Sequence, residues 1–295
     1  MPADAPPQPL PHPPQLPLPH PLTGQRFGSP VPPGTGWPGD PADGATPVAG
    51  SAPDVVRLAT AAAGLGELDA RVSVCRACPR LVAWREDVAV LKRRAFAAEP
   101  YWGRPVTGWG DAAAWLLVVG LAPAVHGGNR TGRVFTGDRS GDWIFAALHR
   151  AGLADRATSE AAGDGQALRG VRIAAAVRCA PPANRPDPVE RDTCAPWLDR
   201  EVTLLEPGLR AVLALGAFAW EASLACARRL GWTTPPVRPR FGHAAVTSLV
   251  TGAGRALPLV ASYHVSQQNT FTRRLTEPML DDVLATVRAR AGASA

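Results

Sequence analysis

The sequence predicts an α/β domain of three layers (αβα), with helices on both faces of a central, mainly parallel sheet of four strands. Two observations carry that prediction. Four short segments, WLLVV, VRIAAAV, RAVLAL and PLVAS, are almost uninterrupted in apolar residues instead of alternating with polar ones. That is the pattern of strands buried on both faces. Helix-length segments separate them, as parallel connections require.

Taken in order, the folded part opens with a helix over 54–73, a cysteine-bearing turn at 75–79 and a helix over 81–95. The first strand, 115–119, runs through a glycine-rich loop into a helix over 140–151. The second, 171–177, leads through a cysteine-containing segment to a helix over 188–206. Strand 210–215, helix 216–230, strand 258–262 and a closing helix over 276–290 complete the pattern. A chain of 295 residues that is 46% hydrophobic can bury one good-sized core or two small ones.

Half of the 32 prolines fall in the first 50 residues, a stretch with little charge and no apolar periodicity. Such composition predicts a disordered tail over 1–52 with polyproline II character, leaving 53–295 as a single domain. No basic stretch followed by an apolar core opens the chain, and no apolar run reaches membrane-spanning length. The expectation is a soluble, cytoplasmic protein with no membrane partner, associated with the nucleoid. A net charge of +6 and a pI near 9.6 permit a polyanion partner without demanding one.

Ligands of parallel sheets bind beyond the carboxyl ends of the strands. That rule gathers GLAPAVHGGNRTGRVFTGD, RCAPPANRP, GAFAW and YHVSQQNTFTRR on one edge, a set rich in Asn, Gln, His and Arg and poor in acids. The glycine-rich loop carries neither the Lys–Ser/Thr pair of a P-loop nor the GxGxxG of a dinucleotide site.

Five cysteines punctuate the chain. Cys75 and Cys78 form a C-x2-C turn, and Cys179 and Cys194 bracket a proline-rich segment just beyond a strand end. Meeting across the fold, the two pairs make a four-thiolate site, for which zinc and an iron–sulfur cluster are equally suitable occupants. A redox pair or plain buried thiols are the alternative for C-x2-C alone. Cys226, in ASLACARRL, reads as core.

VCRACPRL, GLAPAVHGGNRTGRVFTGDRSGDW, VRCAPPANRP with a cysteine downstream, and SYHVSQQNTFTRRLT occur in that order. Together they resemble the family 5 (type B) uracil-DNA glycosylases, the iron–sulfur branch of the uracil-DNA glycosylase superfamily. The resemblance spans roughly residues 73–290 and leaves out the proline-rich tail and the segment near 155–169. It implies a four-stranded parallel sheet between helices. It also implies a [4Fe–4S] cluster on Cys75, Cys78, Cys179 and Cys194, with zinc as the alternative occupant.

The activity implied is flipping and excision of uracil from DNA, leaving an abasic site. The partners are double- and single-stranded DNA containing deaminated bases, met by a monomer. Phe135 matches the position that stacks on the base, Asn184 the amide that reads its edge, and His264 the group facing the uracil carbonyl. A donor there stabilises charge that accumulates on the departing base.

The GLAP motif departs from other superfamily branches, which place an acid where Ala122 stands. Ala122 cannot polarise water, and its small side chain leaves room for hypoxanthine or xanthine. Asn129 and Asp138 are the candidates for water, with Asp138 equally suited to cap the next helix. Gln267, Gln268 and Asn269 would face the duplex and fill the gap left by the flipped base, with Arg273 and Arg274 on phosphates. The only lysine is Lys92, outside the motifs, so a Schiff-base lyase step is not expected. A zinc-stabilised nucleic-acid-binding module without catalysis is the competing reading. A third, an electron-transfer protein, leaves Phe135 and Asn184 unexplained.

Overall fold

The computed structural model describes residues 16–292. A two-residue ribbon, β1 (Leu18–Pro19) and β2 (Arg26–Phe27), comes first and pairs antiparallel. Helix α1 (Ala52–Thr60) is capped by the Ser51 hydroxyl, which accepts from Asp54 N–H. The single helix expected over 54–73 is in fact two, because the chain turns at 61–64 and restarts with Gly64 as N-cap of α2 (Leu65–Ser73). Helix α3 (Pro79–Leu91) stops short of residue 95, where Lys92 swings to φ 56°. Strand β3 (Trp109–Gly110), β4 (Leu116–Gly120), a single turn of helix α4 (Gly128–Thr131) and α5 (Arg139–Arg150) follow. Then come β5 (Val171–Ala175), α6 (Pro188–Leu205), β6 (Ala211–Leu215), α7 (Ala217–Arg229), β7 (Val246–Val250), β8 (Ala256–Ser262), the short α8 (Gln267–Phe271) and α9 (Glu277–Ala291).

The sheet has six strands in the order β3-β5-β4-β6-β8-β7. The four expected strands form its parallel centre, and β3 and β7 add antiparallel edges. Both edges lack the signal of a buried strand: β3 is two residues long, and β7 alternates exposed and buried side chains. Alternation along the central strands sorts their residues between two cores. Leu116, Val118, Ile173 and Leu213 face α5 and α9, whereas Leu117, Val119, Ala174 and Val212 face α6 and α7. Helices α1 and α2 form a separate small core against Trp197 of α6. Cys226 is buried among apolar residues of α7's core, as expected. No helix among the described residues is long and apolar enough to cross a membrane.

The tail expected to be disordered over 1–52 is corrected from residue 16 onward; residues 1–15 lie outside the described residues. Phe27, Val31 and Trp37 are buried in the same core as α5 and α9. Trp37 meets His20 at 4.5 Å, Phe27 at 5.1 Å and Trp102 at 5.9 Å between ring centroids. Asp40 forms a buried bidentate pair with Arg104 at 2.8 and 2.9 Å. Mean composition argues for disorder, yet a few large side chains and one buried ion pair hold the strap, whose regular structure is the two-residue β1–β2 ribbon. The segment near 155–169 is likewise pinned, by Arg133 to Asp164 at 2.6 Å and by Ala162 N–H donating to the Thr131 carbonyl.

Removing one partner of a buried pair leaves the other charge uncompensated, at about 3–5 kcal/mol. Asp40→Ala is therefore expected to lower unfolding free energy by about that amount and to open residues 16–50 to protease. Urea denaturation and limited proteolysis read both; unchanged cleavage would mean that the strap is not held by this pair.

Candidate active site

The carboxyl ends of β4, β5 and β8 border a cavity of about 430 Å³. Its floor is the backbone beyond β4, where Ala176 N–H donates to the Gly120 carbonyl and Val177 N–H to that of Leu121, both at 2.9 Å. These two bonds extend the β4–β5 ladder past the strand ends and fix Leu121 and Ala122 in the wall. Phe135 returns over Gly120 with φ 55°. A Cβ on Gly120 would stand 2.9 Å from Phe135 Cζ, so the ring needs bare backbone beneath it. A Cβ on Gly141 would reach 2.1 Å from the Phe135 carbonyl oxygen, which ties the start of α5 to this loop in the same way.

Opposite stands His264, two residues beyond β8, its ring 6.1 Å from that of Phe135 and tilted by 40°. Burial lowers its imidazole to about 4, so the ring is neutral at physiological pH and offers one N–H and one lone pair. Asn184 follows Ala183 in a pair of left-handed residues, φ 51° and 55°, which turns PPANRP back over the cavity. The conformation suits the turn-forming habit of Asn and presents its amide at the rim. Asp138 is the one carboxylate among the described residues lining the cavity. It caps α5, its Oδ1 accepting from Ser140 N–H at 2.8 Å. Burial raises its carboxyl above the usual range, opposed by the bonds from Ser140.

Two expectations change. Asn129 is 1% exposed and does not line the cavity; its Nδ2 donates to the Arg85 carbonyl at 3.2 Å, toward α3. The one-turn α4 rotates it inward, so it cannot hold water at the site. Asn269 does not face a duplex freely either, because its Nδ2 donates to the His264 carbonyl at 2.8 Å and fastens the loop that carries His264. Gln267 and Gln268 are exposed as expected, Gln268 on the cavity rim. Arg273 is exposed, and Arg274 lies over the Tyr263 ring at 4.6 Å while remaining exposed.

Phe271 went without a role in the sequence reading. It is 64% exposed one turn after Gln268, hence on the same side of α8, and Arg139 at the start of α5 lies 5.3 Å over its ring. An aromatic among polar residues in QNTFTRR is the signal that could have found it.

Behind the cavity wall the four cysteines meet. Cys75, Cys78, Cys179 and Cys194 all border one small cavity between α3, α6 and the chain beyond β5. Arg85 Nη1 donates to Cys179 Sγ at 2.8 Å and the Arg178 N–H to Cys194 Sγ at 3.3 Å. Burial pushes Cys78 up to about 12 and raises Cys75 and Cys194 as well. Among the described residues no group of three or more His, Cys, Asp or Glu side chains is arranged to hold a single metal ion. The donor set, four soft thiols with N–H groups aimed at two of them, matches what metal thiolates use.

Residues 107–288 match the family model described as "Uracil DNA glycosylase superfamily". The chain is 58% identical over 273 residues to a protein of Mycobacterium bovis named "Type-5 uracil-DNA glycosylase", covering 92% of this chain and 99% of that one. Proteins of the same name from Mycobacterium leprae and Thermus thermophilus are 54% and 49% identical, over 80% and 75% of this chain and 99% and 95% of theirs. The likeness to the first relative extends beyond 73–290, so it takes in part of the segments that the sequence reading set aside. A cavity at the carboxyl edge walled by Phe135, Asn184 and His264, together with these matches, makes the chain a member of the uracil-DNA glycosylase superfamily, in its type-5 branch.

Proposed function

We propose that the protein hydrolyses the N-glycosidic bond of uracil in DNA, taking the nucleotide out of the stack and leaving an abasic site. The observation that carries this reading is a neutral His264 facing Phe135 across a cavity wide enough for a base. Phe135 stacks on the flipped base, a contact worth about 1–3 kcal/mol. Asn184 reads its edge with one donor and one acceptor.

Water adds to C1′ as the C1′–N1 bond breaks, and the bonding pair stays on the base. His264 donates its N–H to the carbonyl oxygen where that charge collects, an interaction stronger in the transition state than before it. A ring that stays unprotonated keeps this role over the neutral range. Asp138 takes the proton released by water, its carboxyl held at the cavity by the bond that Oδ1 accepts from Ser140 N–H. The small Ala122 leaves space in the wall, and hypoxanthine and xanthine are further substrates on this reading.

Gln267, Gln268 and Phe271 face the duplex, with Phe271 as the apolar side chain suited to the gap left by the nucleotide. Arg273 and Arg274 contact phosphates, so binding is salt-sensitive and independent of sequence. The protein acts as a monomer on double- and single-stranded DNA.

The cofactor is inferred to be a [4Fe–4S] cluster held by Cys75, Cys78, Cys179 and Cys194. Four thiols around one cavity, with N–H groups aimed at two of them, support this reading, and zinc is the alternative occupant. When bound it supplies metal–thiolate bonds that hold the turn before α3, the segment beyond β5 and α6 together.

The test is a labelled duplex carrying one uracil, followed by alkali. Breaks at uracil alone are expected, with His264→Ala slower in kcat by about 10²–10³ and unchanged in melting. Wild-type protein that is folded and makes no breaks at uracil would sink the assignment.

Asn caps helices as well as Asp does, so Asp138→Asn separates the two roles of this residue. Stability is expected to hold while kcat falls by about 10²–10⁴; wild-type kcat in the variant would leave Asp138 a cap and nothing more. A base works ionised, and burial raises this carboxyl. On lowering the pH, activity is expected to fail above the range of an ordinary aspartate, and a pH–rate profile of Asp138→Asn should lack that limb.

A further inference from the structure

Arg85 is among the most deeply buried cations in the chain, 1% exposed, and it stands in the wall of the four-cysteine cavity. Among the described residues no carboxylate hydrogen-bonds its guanidinium. The nearest ion-pair partner is Glu86, 3.7 Å from Nη2, whose oxygens are already bonded to Arg76. Instead Nη1 donates to Cys179 Sγ at 2.8 Å and Nη2 to the Cys75 carbonyl at 3.0 Å, and the buried Nε finds no acceptor among the described residues. A guanidinium so placed against neutral thiols would be a buried charge without compensation, which proteins avoid. Four metal-bound thiolates around the same cavity supply the missing negative charge.

We propose that Arg85 is the buried counter-charge of the four-cysteine centre and the residue that positions its Cys179 sulfur. The proposal rests on the cofactor reading above. Its consequence for the active site runs through the backbone: the Arg85 carbonyl accepts from Asn129 Nδ2, in the loop that goes on to Phe135 and Asp138. Arg85 thus anchors the centre with its side chain and the loop with its main chain. It touches no substrate and is a positioning residue.

The test compares full-length wild type with Arg85→Met, Arg85→Gln and Arg85→Lys, measuring iron, zinc and sulfide content, the rate of metal loss to a chelator and the midpoint potential. A charge-assisted bond to sulfur is lost in Met and Gln, so metal should leave about tenfold faster or more. Removing a cation beside a cluster makes accepting an electron harder, so the midpoint potential should move negative. Arg85→Lys keeps the charge and should lie between wild type and Met.

If Arg85→Met is insoluble, Arg85→Gln decides, since it is polar and neutral. A wild-type potential and metal lifetime in a neutral variant overturn the proposal while the cofactor stands. Zinc in place of iron sinks the cluster alone, and faster zinc loss from the neutral variants then supports the proposal. Wild-type protein without either metal overturns both.

Discussion

The hydrogen-bond ladder between β4 and β5 fixes the two centres of the molecule with respect to each other. It does not stop with the strands: the N–H groups of Ala176 and Val177 continue it onto the carbonyls of Gly120 and Leu121. On the β4 side the next residue is Ala122, in the cavity wall; on the β5 side Arg178 and Cys179 follow at once. One run of parallel pairing therefore spaces the cavity from the cysteines by the width of a strand, about 4.8 Å, plus side chains. A slip of one residue would turn Ala122 and Cys179, which belong to one packed cluster, to opposite faces.

Charge is buried on the far side of that ladder. Arg172 on β5 reaches Asp69 of α2 with two bonds of 2.8 Å and also pairs with Glu201 of α6, which in turn pairs with Arg178. The Arg178 N–H meanwhile donates to Cys194 Sγ. Buried pairs of this kind add little net stability compared with apolar residues of equal volume. Their geometric demand is what matters here, because Glu201 has to meet Arg172 and Arg178 at once. They join α2, β5 and α6, the elements that bring the cysteines together, in one register.

The parallel centre was legible because strands covered on both faces leave an unmistakable apolar run, and the carboxyl-edge rule then chose the loops. His264, Phe135 and Asn184 followed from motif blocks and stand together at the cavity. What stayed hidden was rotational. Asn129 and Asp138 occupy the same glycine-rich loop, and no periodicity in such a loop tells which side chain points in; a one-turn helix sends Asn129 to Arg85 and leaves Asp138 at the cavity. Asn269 was hidden for the same reason, since its bond to the His264 carbonyl depends on a turn of α8. The strap at 16–50 failed differently. Averages over a proline-rich stretch describe its many solvated residues, whereas its placement depends on Phe27, Val31, Trp37 and Asp40.

Ala122 bears on how such a site divides its work. With no acid in GLAP, the cavity wall nearest the strand end offers carbon and backbone, and the single lining carboxylate is also a helix cap. On the function proposed above, stabilisation of the departing base by His264 carries more of the barrier than activation of water. That division has a consequence for selectivity. A donor aimed at a carbonyl oxygen serves any base that leaves as an anion with an oxygen in that place, and an apolar wall rejects an added ring only by size. On the same proposal discrimination falls to Asn184, whose amide rests on a strained, left-handed turn at the exposed rim. A reader held by a turn adapts more readily than one held in a strand, so the breadth toward deaminated bases proposed above fits a wall that lacks the motif acid.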